Sequence, residues 1–457
     1  MKTKRIFEWL RIILFSVVLV GCCVLGFILP LRPDASESEG RKLTEFPAFT
    51  WDAFLSGEYT SQIGLWYADS YPGREALLDM NGELKNLYGV GDSQFSGYEG
   101  EADELDTAPE FVWGESPAPE ETSGEKPSGD QETAGEQGTA GEQETLPETT
   151  TPPILGAETV DGYYVRGDTC WELYYYKSDL VDRYCRVMVN AAIDLKGKAT
   201  VYNMVVPIAP CYGLTQAELQ MLGASEGIPV IEHIYAAIDA YCPQAGVADN
   251  PVVTLPVHTV FAEHQNERLF FRTDHHWTAT GAYYASRYFL DAMGRDYPAL
   301  SEYTPLTISE SFLGSLYRHT QAESLKKNPE TIVAYLSPTV SEMTIFRDNI
   351  YQPRPLINQE ATNYNCFASG DHEYYEVHNK TITDGSKVLI IKESYGNAFL
   401  PMVVDSYEYV YAVDYRFWDG DLVSFVEEKG IDTVLFLNNL YATADSYTVR
   451  CLEKLVD

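Results

Sequence analysis

Short apolar runs alternate with amphipathic stretches from about residue 160 to the end of the chain. The runs at 201–206, 388–391 and 433–437 are rich in Val, Ile and Leu, which predicts strands that are buried on both faces. Apolar residues at helical spacing lie between such runs, as in 284–292, where Gly294 ends the pattern. This alternation predicts an α/β fold in which helices cover both faces of a parallel sheet. Further strands are predicted at 229–231, 252–255 and 409–413, and a further helix at 216–222.

The N-terminal segment has the pattern of a membrane anchor. No charged residue occurs from 12 to 29, and eighteen helical residues span roughly 27 Å. Basic residues precede this run, which predicts a cytoplasmic N-terminus and an extracellular or periplasmic C-terminal domain. We predict a single-pass anchor at 1–33, because no small-x-small cleavage site precedes Pro30. A cleaved signal sequence and a lipoprotein modified at Cys22 are the alternatives.

Two segments separate the anchor from the α/β region. Residues 34–96 are predicted to form a mostly helical stalk that packs on the body. Residues 97–155 are rich in Glu, Gly, Thr, Pro and Ser, with 16 acidic residues against one Lys between 99 and 148. Such a composition buries too little apolar surface to offset its ordering entropy, which predicts a disordered acidic spacer. Residues 156–457 then form the predicted catalytic domain.

The net charge argues against some binding partners, and the cysteine spacing argues against a zinc site. The 457 residues carry a formal net charge of −36, which argues against nucleic acids and anionic membrane surfaces because both require Lys and Arg clusters. The cysteines outside the anchor show no CxxC or His-Cys spacing typical of zinc, so no metal is predicted. They form disulfides or remain free thiols, and the sequence leaves both open. These cysteines are Cys170, Cys185, Cys211, Cys242, Cys366 and Cys451.

Three residues in two separate segments suggest nucleophilic catalysis. Residues 272–277 read Arg-Thr-Asp-His-His-Trp, so Asp274 can hold one ring nitrogen of His276 and leave the other free to accept a proton. Ser394 follows the predicted buried strand at 388–391 and precedes a Gly and a predicted helix. A serine in that position exposes its hydroxyl beside backbone N–H groups. The order Asp, His, Ser therefore predicts a catalytic triad.

Other interpretations of the same residues exist. A serine after a strand is often a helix cap, and a His pair in a loop is often structural. Asp-His-His also occurs in metal-dependent phosphoesterases, but these require further Asp ligands for two divalent ions. No Asp-x-Asp or comparable cluster stands upstream in the α/β region. The joint occurrence of the two segments favours the triad.

These motifs resemble the bacterial DHHW protein family, which is similar to the alginate O-acetyltransferase proteins and the wider SGNH hydrolase-like superfamily. The resemblance rests on segments 67–74, 272–277, 392–397 and 413–416. It implies an SGNH hydrolase-like three-layer sandwich, with Asp274 and His276 as the Asp-x-His pair and Ser394 as the nucleophile, in circularly permuted order. Glu393 stands where the resemblance leads us to expect Asp before the serine.

Residues around the triad are candidates for binding the oxyanion or the substrate. The backbone N–H groups of Ser394 and Tyr395 lie next to the nucleophile, and Asn438 and Asn439 follow another predicted strand, where residues of a parallel sheet meet at one edge. The candidates are Tyr395, Asn438, Asn439 and Gly314 for the oxyanion, and His275, Trp277 and Arg272 as supports or substrate contacts.

The predicted function is an extracytoplasmic O-acetyltransferase that acts on a cell-envelope or secreted polysaccharide through an acyl-serine. The chain has no Gly-rich phosphate loop for acetyl-coenzyme A, so no cofactor is predicted. The resemblance implies that a multi-span membrane O-acyltransferase supplies the acyl group. A carbohydrate O-acetyl esterase and a non-catalytic glycan-binding or envelope-assembly protein are the alternatives.

Overall fold

The computed structural model describes residues 162–347 and 350–456 continuously, together with short N-terminal stretches. The predicted anchor at 1–33 lies outside the described residues, as does most of the predicted stalk at 34–96. Within the described part, every helix is too short or too polar to cross a membrane. The described N-terminal positions are 35–36, 41–42, 46–51, 59, 63, 66–67, 70–71, 102–106, 109, 111–113 and 157–160.

An eight-stranded mixed sheet forms the centre of the α/β region, in the order β11-β10-β12-β14-β13-β15-β6-β7. The five strands from β14 to β7 are parallel, as predicted. The strands are β1 Ala35–Ser36, β2 Arg41–Lys42, β3 Ala157–Val160, β4 Tyr163–Arg166, β5 Thr169–Glu172, β6 Thr200–Val206, β7 Val253–Thr254, β8 Thr304–Phe312, β9 Glu330–Leu336, β10 Ser341–Arg347, β11 Ile350–Arg354, β12 Tyr374–Asn379, β13 Lys387–Lys392, β14 Tyr409–Asp414 and β15 Thr433–Asn439.

The predicted parallel sheet is extended at one edge by strands that the prediction did not include, because β12, β10 and β11 are antiparallel. The consecutive strands β10 and β11 are joined by a short connection, which antiparallel pairing allows without a crossover helix. The prediction of a strand at 229–231 is wrong, since these residues lie in the first turns of a helix that spans Gly227–Gln244. Pro229 is tolerated there because the first-turn N–H groups have no helical partner.

Helices cover both faces of the sheet. Along β13, Leu389 and Ile391 belong to one apolar cluster with α1, α4, α10 and α11, whereas Val388 and Ile390 belong to another with α5, α6 and α9. This alternation is the period of two that a strand buried on both faces requires. The helices are α1 Ser178–Asp194, α2 Pro210–Gly213, α3 Gln216–Met221, α4 Gly227–Gln244, α5 His258–Glu263, α6 Ala279–Ala292, α7 Ser315–Thr320, α8 Glu323–Lys326, α9 Gly396–Val403, α10 Leu422–Lys429 and α11 Ser446–Glu453.

Two small antiparallel sheets support the region where the parallel strands end. One consists of β3, β4 and β5, and the other of β8 and β9. The N–H of Cys170 in β5 donates to the carbonyl of Arg272 at 3.0 Å, which ties the first sheet to the Asp-His loop. All six cysteines of the α/β region are free thiols.

Part of the predicted acidic spacer packs on the body. Asp103 accepts hydrogen bonds from the N–H and the hydroxyl of Ser178 at 2.7 and 2.8 Å, at the start of α1. Phe111 and Trp113 lie 5.9 and 5.6 Å, centroid to centroid, from the Tyr241 ring of α4. Such contacts can offset the ordering entropy of the described residues between 102 and 113, and the disordered acidic spacer at 97–155 stays a prediction. The domain boundaries themselves stay a prediction.

Candidate active site

Ser394 lies in a tight turn between β13 and α9. A Cβ at Gly396 would lie 2.6 Å from the Cβ and 2.3 Å from the Cδ of Lys392, so only glycine fits at the start of the helix. Lys392 is fully buried and its Nζ donates to Asn397 Oδ1 at 2.7 Å. These buried contacts hold the turn together, and they place Ser394 at the carboxyl end of a buried strand.

The loop that contains Asp274 and His276 is closed at its base. Phe270 and Trp277 form an isolated antiparallel bridge, and Thr278 caps α6 by accepting from the N–H of Gly281 at 3.3 Å. Asp274 then receives hydrogen bonds on both oxygens, from the N–H of His276 at 3.0 Å and from the N–H of Ser315 at 2.8 Å. These donors fix the plane of the carboxylate.

A continuous hydrogen-bond chain joins the three predicted triad residues. His276 Nε2 lies 2.8 Å from Ser394 Oγ, and His276 Nδ1 lies 2.6 Å from Asp274 Oδ1. Burial raises the pKa of the Asp274 carboxyl, but the charge and hydrogen bond of His276 outweigh burial and hold this pKa below its ordinary value. Asp274 is therefore ionised and keeps the Nδ1 proton on His276, which leaves Nε2 to accept the serine proton.

Glu393 supports the nucleophile turn from the opposite side. Its Oε2 accepts from the N–H of Tyr395 at 2.9 Å and from the hydroxyl of Ser394 at 3.2 Å, and its Oε1 accepts from the N–H of Asn439 at 3.1 Å. Burial raises the pKa of this carboxyl. The residue that departs from the expected Asp therefore links the nucleophile turn to the end of β15.

The oxyanion candidates divide into engaged and available donors. The N–H of Tyr395 is bound to Glu393, the N–H of Gly314 to Thr273 Oγ1 at 3.1 Å, and the amide of Asn438 to the Tyr184 hydroxyl at 3.2 Å. In the described part of the chain, the Ser394 N–H and the Asn439 side-chain amide have no acceptor, and both residues line the cleft. They are the donors that can face an oxyanion.

The remaining candidates have different surroundings. His275 lines the cleft, and its Nδ1 lies 2.5 Å from Ser315 Oγ. Trp277 is fully buried and donates to the carbonyl of Tyr395 at 3.0 Å, so it belongs to the core and not to a substrate-binding rim. Arg272 forms an ion pair with Asp168 and does not line the cleft.

Two residues that the sequence did not identify support the Asp-His loop and the imidazole within it. The carboxylate of Glu330, at the start of β9, accepts from the backbone N–H groups of Arg272 and Thr273 at 2.9 and 2.7 Å. The ring of Tyr364 stacks on His276 at 3.7 Å between centroids, with the planes 9° apart. Both come from segments without a catalytic motif, so no local signal marks them.

A cleft of about 400 Å³ opens beside Ser394, within the size range of small-ligand sites. Several tyrosines line it together with His275, His319 and Glu172. The β4–β5 sheet provides one wall, and the segment after β15 provides the other. The tyrosines are Tyr163, Tyr174, Tyr175 and Tyr441.

Asp274, His275 and His276 also offer ligand atoms within 4.8 Å of one another, which is close enough to consider a metal ion. The Nδ1 atoms of the two histidines instead contact Ser315 and Asp274, and His276 Nε2 contacts Ser394. Zinc requires such nitrogens as direct ligands. This hydrogen bonding matches a serine site better than a metal site.

A serine at the carboxyl end of a parallel strand of an α/β protein, hydrogen-bonded to a His-Asp pair, has the geometry that serine acyltransferases and esterases share. The chain belongs to the DHHW family, since the family model described as DHHW protein matches residues 39–114 and 133–413. A comparison with curated proteins finds no match.

Solved structures share the fold. A DHHW family protein from Eubacterium siraeum DSM 15702 is 25% identical, with 65% of this chain and 97% of that chain covered and a TM-score of 0.58. PatB1 from Bacillus cereus is 15% identical, with 64% and 98% covered and a TM-score of 0.50, which supports the fold alone. The O-acetyltransferase domain of Pseudomonas putida AlgJ is 13% identical, with 64% and 96% covered, but its TM-score of 0.35 supports no inference.

Proposed function

We propose that the chain is an extracytoplasmic O-acetyltransferase that modifies a cell-envelope or secreted polysaccharide through an acyl-serine on Ser394. The observation that carries the proposal is the hydrogen-bond chain from Ser394 Oγ through His276 to Asp274, at 2.8 and 2.6 Å, beside an open cleft. Membership of the DHHW family and the mixed α/β fold support it. We include in the proposal an SGNH-like domain at 156–457 and a single-pass anchor at 1–33.

The first half of the reaction loads the serine. His276 Nε2 removes the proton of Ser394 Oγ while Oγ bonds to the carbonyl carbon of an acyl donor. The N–H of Ser394 and the side-chain amide of Asn439 stabilise the negative oxygen that results. His276 then protonates the leaving group, the bond to the donor breaks, and the acyl-serine remains.

The second half transfers the acyl group. A sugar hydroxyl in the cleft loses its proton to His276 as its oxygen bonds to the acyl carbon. The Ser394 Oγ–carbon bond then breaks, and Oγ recovers the proton from His276. With water as the acceptor, the same residues catalyse ester hydrolysis, so the acceptor held in the cleft decides between transferase and esterase.

The source of the acyl group favours transfer. Acetyl-coenzyme A is cytoplasmic, and the sequence has no Gly-rich phosphate loop to hold it. A domain outside the membrane therefore requires a partner that passes the acyl group across, and we propose a multi-span membrane O-acyltransferase in this role. A soluble esterase needs neither an anchor nor such a partner.

Gene deletion with complementation separates the alternatives. A transferase predicts that deletion lowers the O-acetyl content of the envelope glycan, and that wild type restores it whereas Ser394→Ala does not. An esterase predicts that the content rises on deletion. A non-catalytic assembly protein predicts that Ser394→Ala complements fully, and an unchanged O-acetyl content after deletion would contradict the transferase proposal.

A further inference from the structure

The charge pattern of the cleft suggests the chemistry of the acceptor. In the described part of the chain, Arg416 is the only Lys or Arg that lines the cleft, and Glu172, Glu393 and Asp445 line it as well. The guanidinium of Arg416 already binds Asp414 at 2.6 and 2.8 Å and Asp371 at 3.0 Å. Its charge is therefore matched by two carboxylates before any ligand enters.

The histidines of the cleft add no positive charge at neutral pH. Burial and the neighbouring His276 lower the pKa of His275 to about 3. Burial and the nearby Arg318 lower the pKa of His319. Because the ordinary pKa of histidine is about 6.5, both rings are neutral at pH 7 and above. An anionic sugar would find no unmatched cation on these walls.

Among the acids that line the cleft, Glu172 is the one whose carboxyl accepts no hydrogen bond from the described residues. Glu393 accepts three hydrogen bonds, and Asp445 caps α11 by accepting from the N–H of Thr448 at 2.7 Å. The carboxyl of Glu172 has no hydrogen-bond partner among the described residues, although its backbone carbonyl accepts from the Tyr441 hydroxyl. A half-buried carboxyl without a donor is satisfied when a ligand supplies one.

Glu172 also lies close enough to the proposed triad for their charges to interact. Burial and the charge of Asp274 raise the pKa of Glu172 to about 7, while His276 opposes the increase. A carboxyl with this pKa changes from acceptor-only to partly protonated within the neutral range. A nearby hydroxyl or amine stabilises the ionised form, and a nearby carboxylate or phosphate destabilises it.

Aromatic rings next to this carboxyl suit a sugar. Tyr163 lines the cleft and stacks on His319, with 5.2 Å between centroids and 10° between planes. Flat aromatic faces pack against apolar faces of ligands, while polar groups fix orientation. The cleft thus places aromatic side chains beside a carboxyl that accepts no hydrogen bond within the described part of the chain.

We propose that the cleft binds a non-anionic sugar unit whose hydroxyl or amine donates a hydrogen bond to Glu172, and that Glu172 rejects uronate and phosphosugar acceptors. This inference rests on the proposed function, because it assigns the acceptor of the same site. In this proposal Glu172 determines which acceptor binds, and the triad transfers the acyl group to Ser394 without it.

Ligand-observed NMR at pH 8, where Glu172 is mostly ionised, tests the proposal on the full-length chain carrying Ser394→Ala. The probes are methyl glucoside, its 2-amino analogue and its uronate analogue, which share one ring. We expect the uronate to bind at least about tenfold more weakly than the neutral glycoside, as expected for two like charges within one cleft. Adding Glu172→Gln should reduce this discrimination to about threefold or less.

Glu428→Gln is the matched control, because it removes one negative charge from an exposed position on α10 and should leave the discrimination unchanged. Equal binding of uronate and neutral glycoside would overturn the proposal, and so would binding of none of the three probes. Unchanged discrimination in Glu172→Gln would overturn the assignment to this residue. Acylation of the wild type by p-nitrophenyl acetate is measured separately, so a failed nucleophile and a failed acceptor assignment give different results.

Discussion

At the scale of single residues, two acceptors compete for the hydroxyl proton of Ser394. His276 Nε2 lies 2.8 Å from Oγ and Glu393 Oε2 lies 3.2 Å from it. Only the hydrogen bond to His276 activates the serine, because the imidazole can take the proton and return it to the leaving group. The backbone N–H groups of Tyr395 and Asn439 hold the Glu393 carboxylate, so it supports the turn while the shorter contact goes to the base.

We expect Glu393→Gln to impair both folding stability and Ser394 acylation. A glutamine amide accepts on one side only, so its NH₂ group would face the N–H of either Tyr395 or Asn439. Leaving such a buried group unsatisfied costs about 1–3 kcal/mol. Urea unfolding and the rate of acylation by p-nitrophenyl acetate check this expectation. Wild-type values for both would show that Glu393 does not support the turn.

His275 should make the protein sensitive to acid. Its pKa is lowered to about 3 by burial and by His276, whereas in the unfolded chain it is about 6.5. The unfolded chain therefore binds a proton on His275 more tightly than the folded chain does. As the pH falls from about 6.5 towards 3, this difference lowers the free energy of unfolding, and above about pH 6.5 it has no effect.

The measurement compares urea unfolding of wild type and His275→Gln at pH 7 and pH 5. We expect wild type to lose more stability than the variant over this interval. Other histidines with a lowered pKa, such as His372, are present in both proteins. Their effect on the pH dependence of stability is therefore the same in both and does not affect the comparison. Equal losses would contradict a neutral, buried His275.

Residue chemistry made the central part of the site predictable. The spacing of Asp274 and His276 and the strand that precedes Ser394 are local patterns, and the structure brings these side chains into contact. The choice between Asn438 and Asn439 was not predictable, since neighbours in a strand point to opposite faces and one change of register exchanges them. The structure turns Asn438 towards Tyr184 and leaves Asn439 in the cleft.

At the scale of elements, the turn from β13 to α9 depends on close contact between Gly396 and the stem of Lys392. A Cβ added at Gly396 would lie only 2.6 Å from the Lys392 Cβ, which leaves no room for any side chain. Because Lys392 is buried and hydrogen-bonded to Asn397, it cannot move aside without breaking that contact. The position of Ser394 is therefore coupled to glycine at the start of the helix.

Gly396→Ala should reduce stability by about 1–3 kcal/mol or more through overpacking and should lower acylation of Ser394. Gly294→Ala is the control, because Gly294 has a φ of 63° at the end of α6 and open space around it. Strain alone should cost that variant about 1 kcal/mol and leave acylation unchanged. Thermal unfolding and acylation rates of the two variants test the difference, and similar behaviour would contradict the steric account.

Elements were predictable where apolar runs were long and continuous, as in β6, β13 and β15. The run at 229–231 was ambiguous, because three apolar residues fit a buried helix as well as a strand, and packing placed it in α4. The strands β10 and β11 were not predicted, because β11 is largely exposed and β10 buries only the two alternating apolar residues Met343 and Ile345. β11 pairs with β10, and β10 pairs on its other side with β12, which lies farther along the chain.

At the scale of the whole molecule, the site is assembled from segments that are distant in sequence. Glu330 of β9 and Tyr364 contact the Asp-His loop, and β13 carries the nucleophile. Glu172 of β5 lines the cleft. The nucleophile follows the carboxyl end of a parallel strand, as expected for such a sheet, whereas Glu172 and Glu330 come from the two small antiparallel sheets. Sequence patterns identify the strands but not the long-range contacts, so Glu172 and Glu330 become visible only in the fold.

The central claim is that Ser394 becomes acylated by way of His276. The most direct test is intact-mass spectrometry of the full-length chain after incubation with p-nitrophenyl acetate, followed by peptide mapping, beside Ser394→Ala, His276→Gln and the exposed-serine control Ser424→Ala. We expect one acetyl adduct on Ser394 in wild type and Ser424→Ala, none in Ser394→Ala, and a strongly reduced amount in His276→Gln. An adduct on another residue, or equal labelling of Ser394→Ala, would contradict the account.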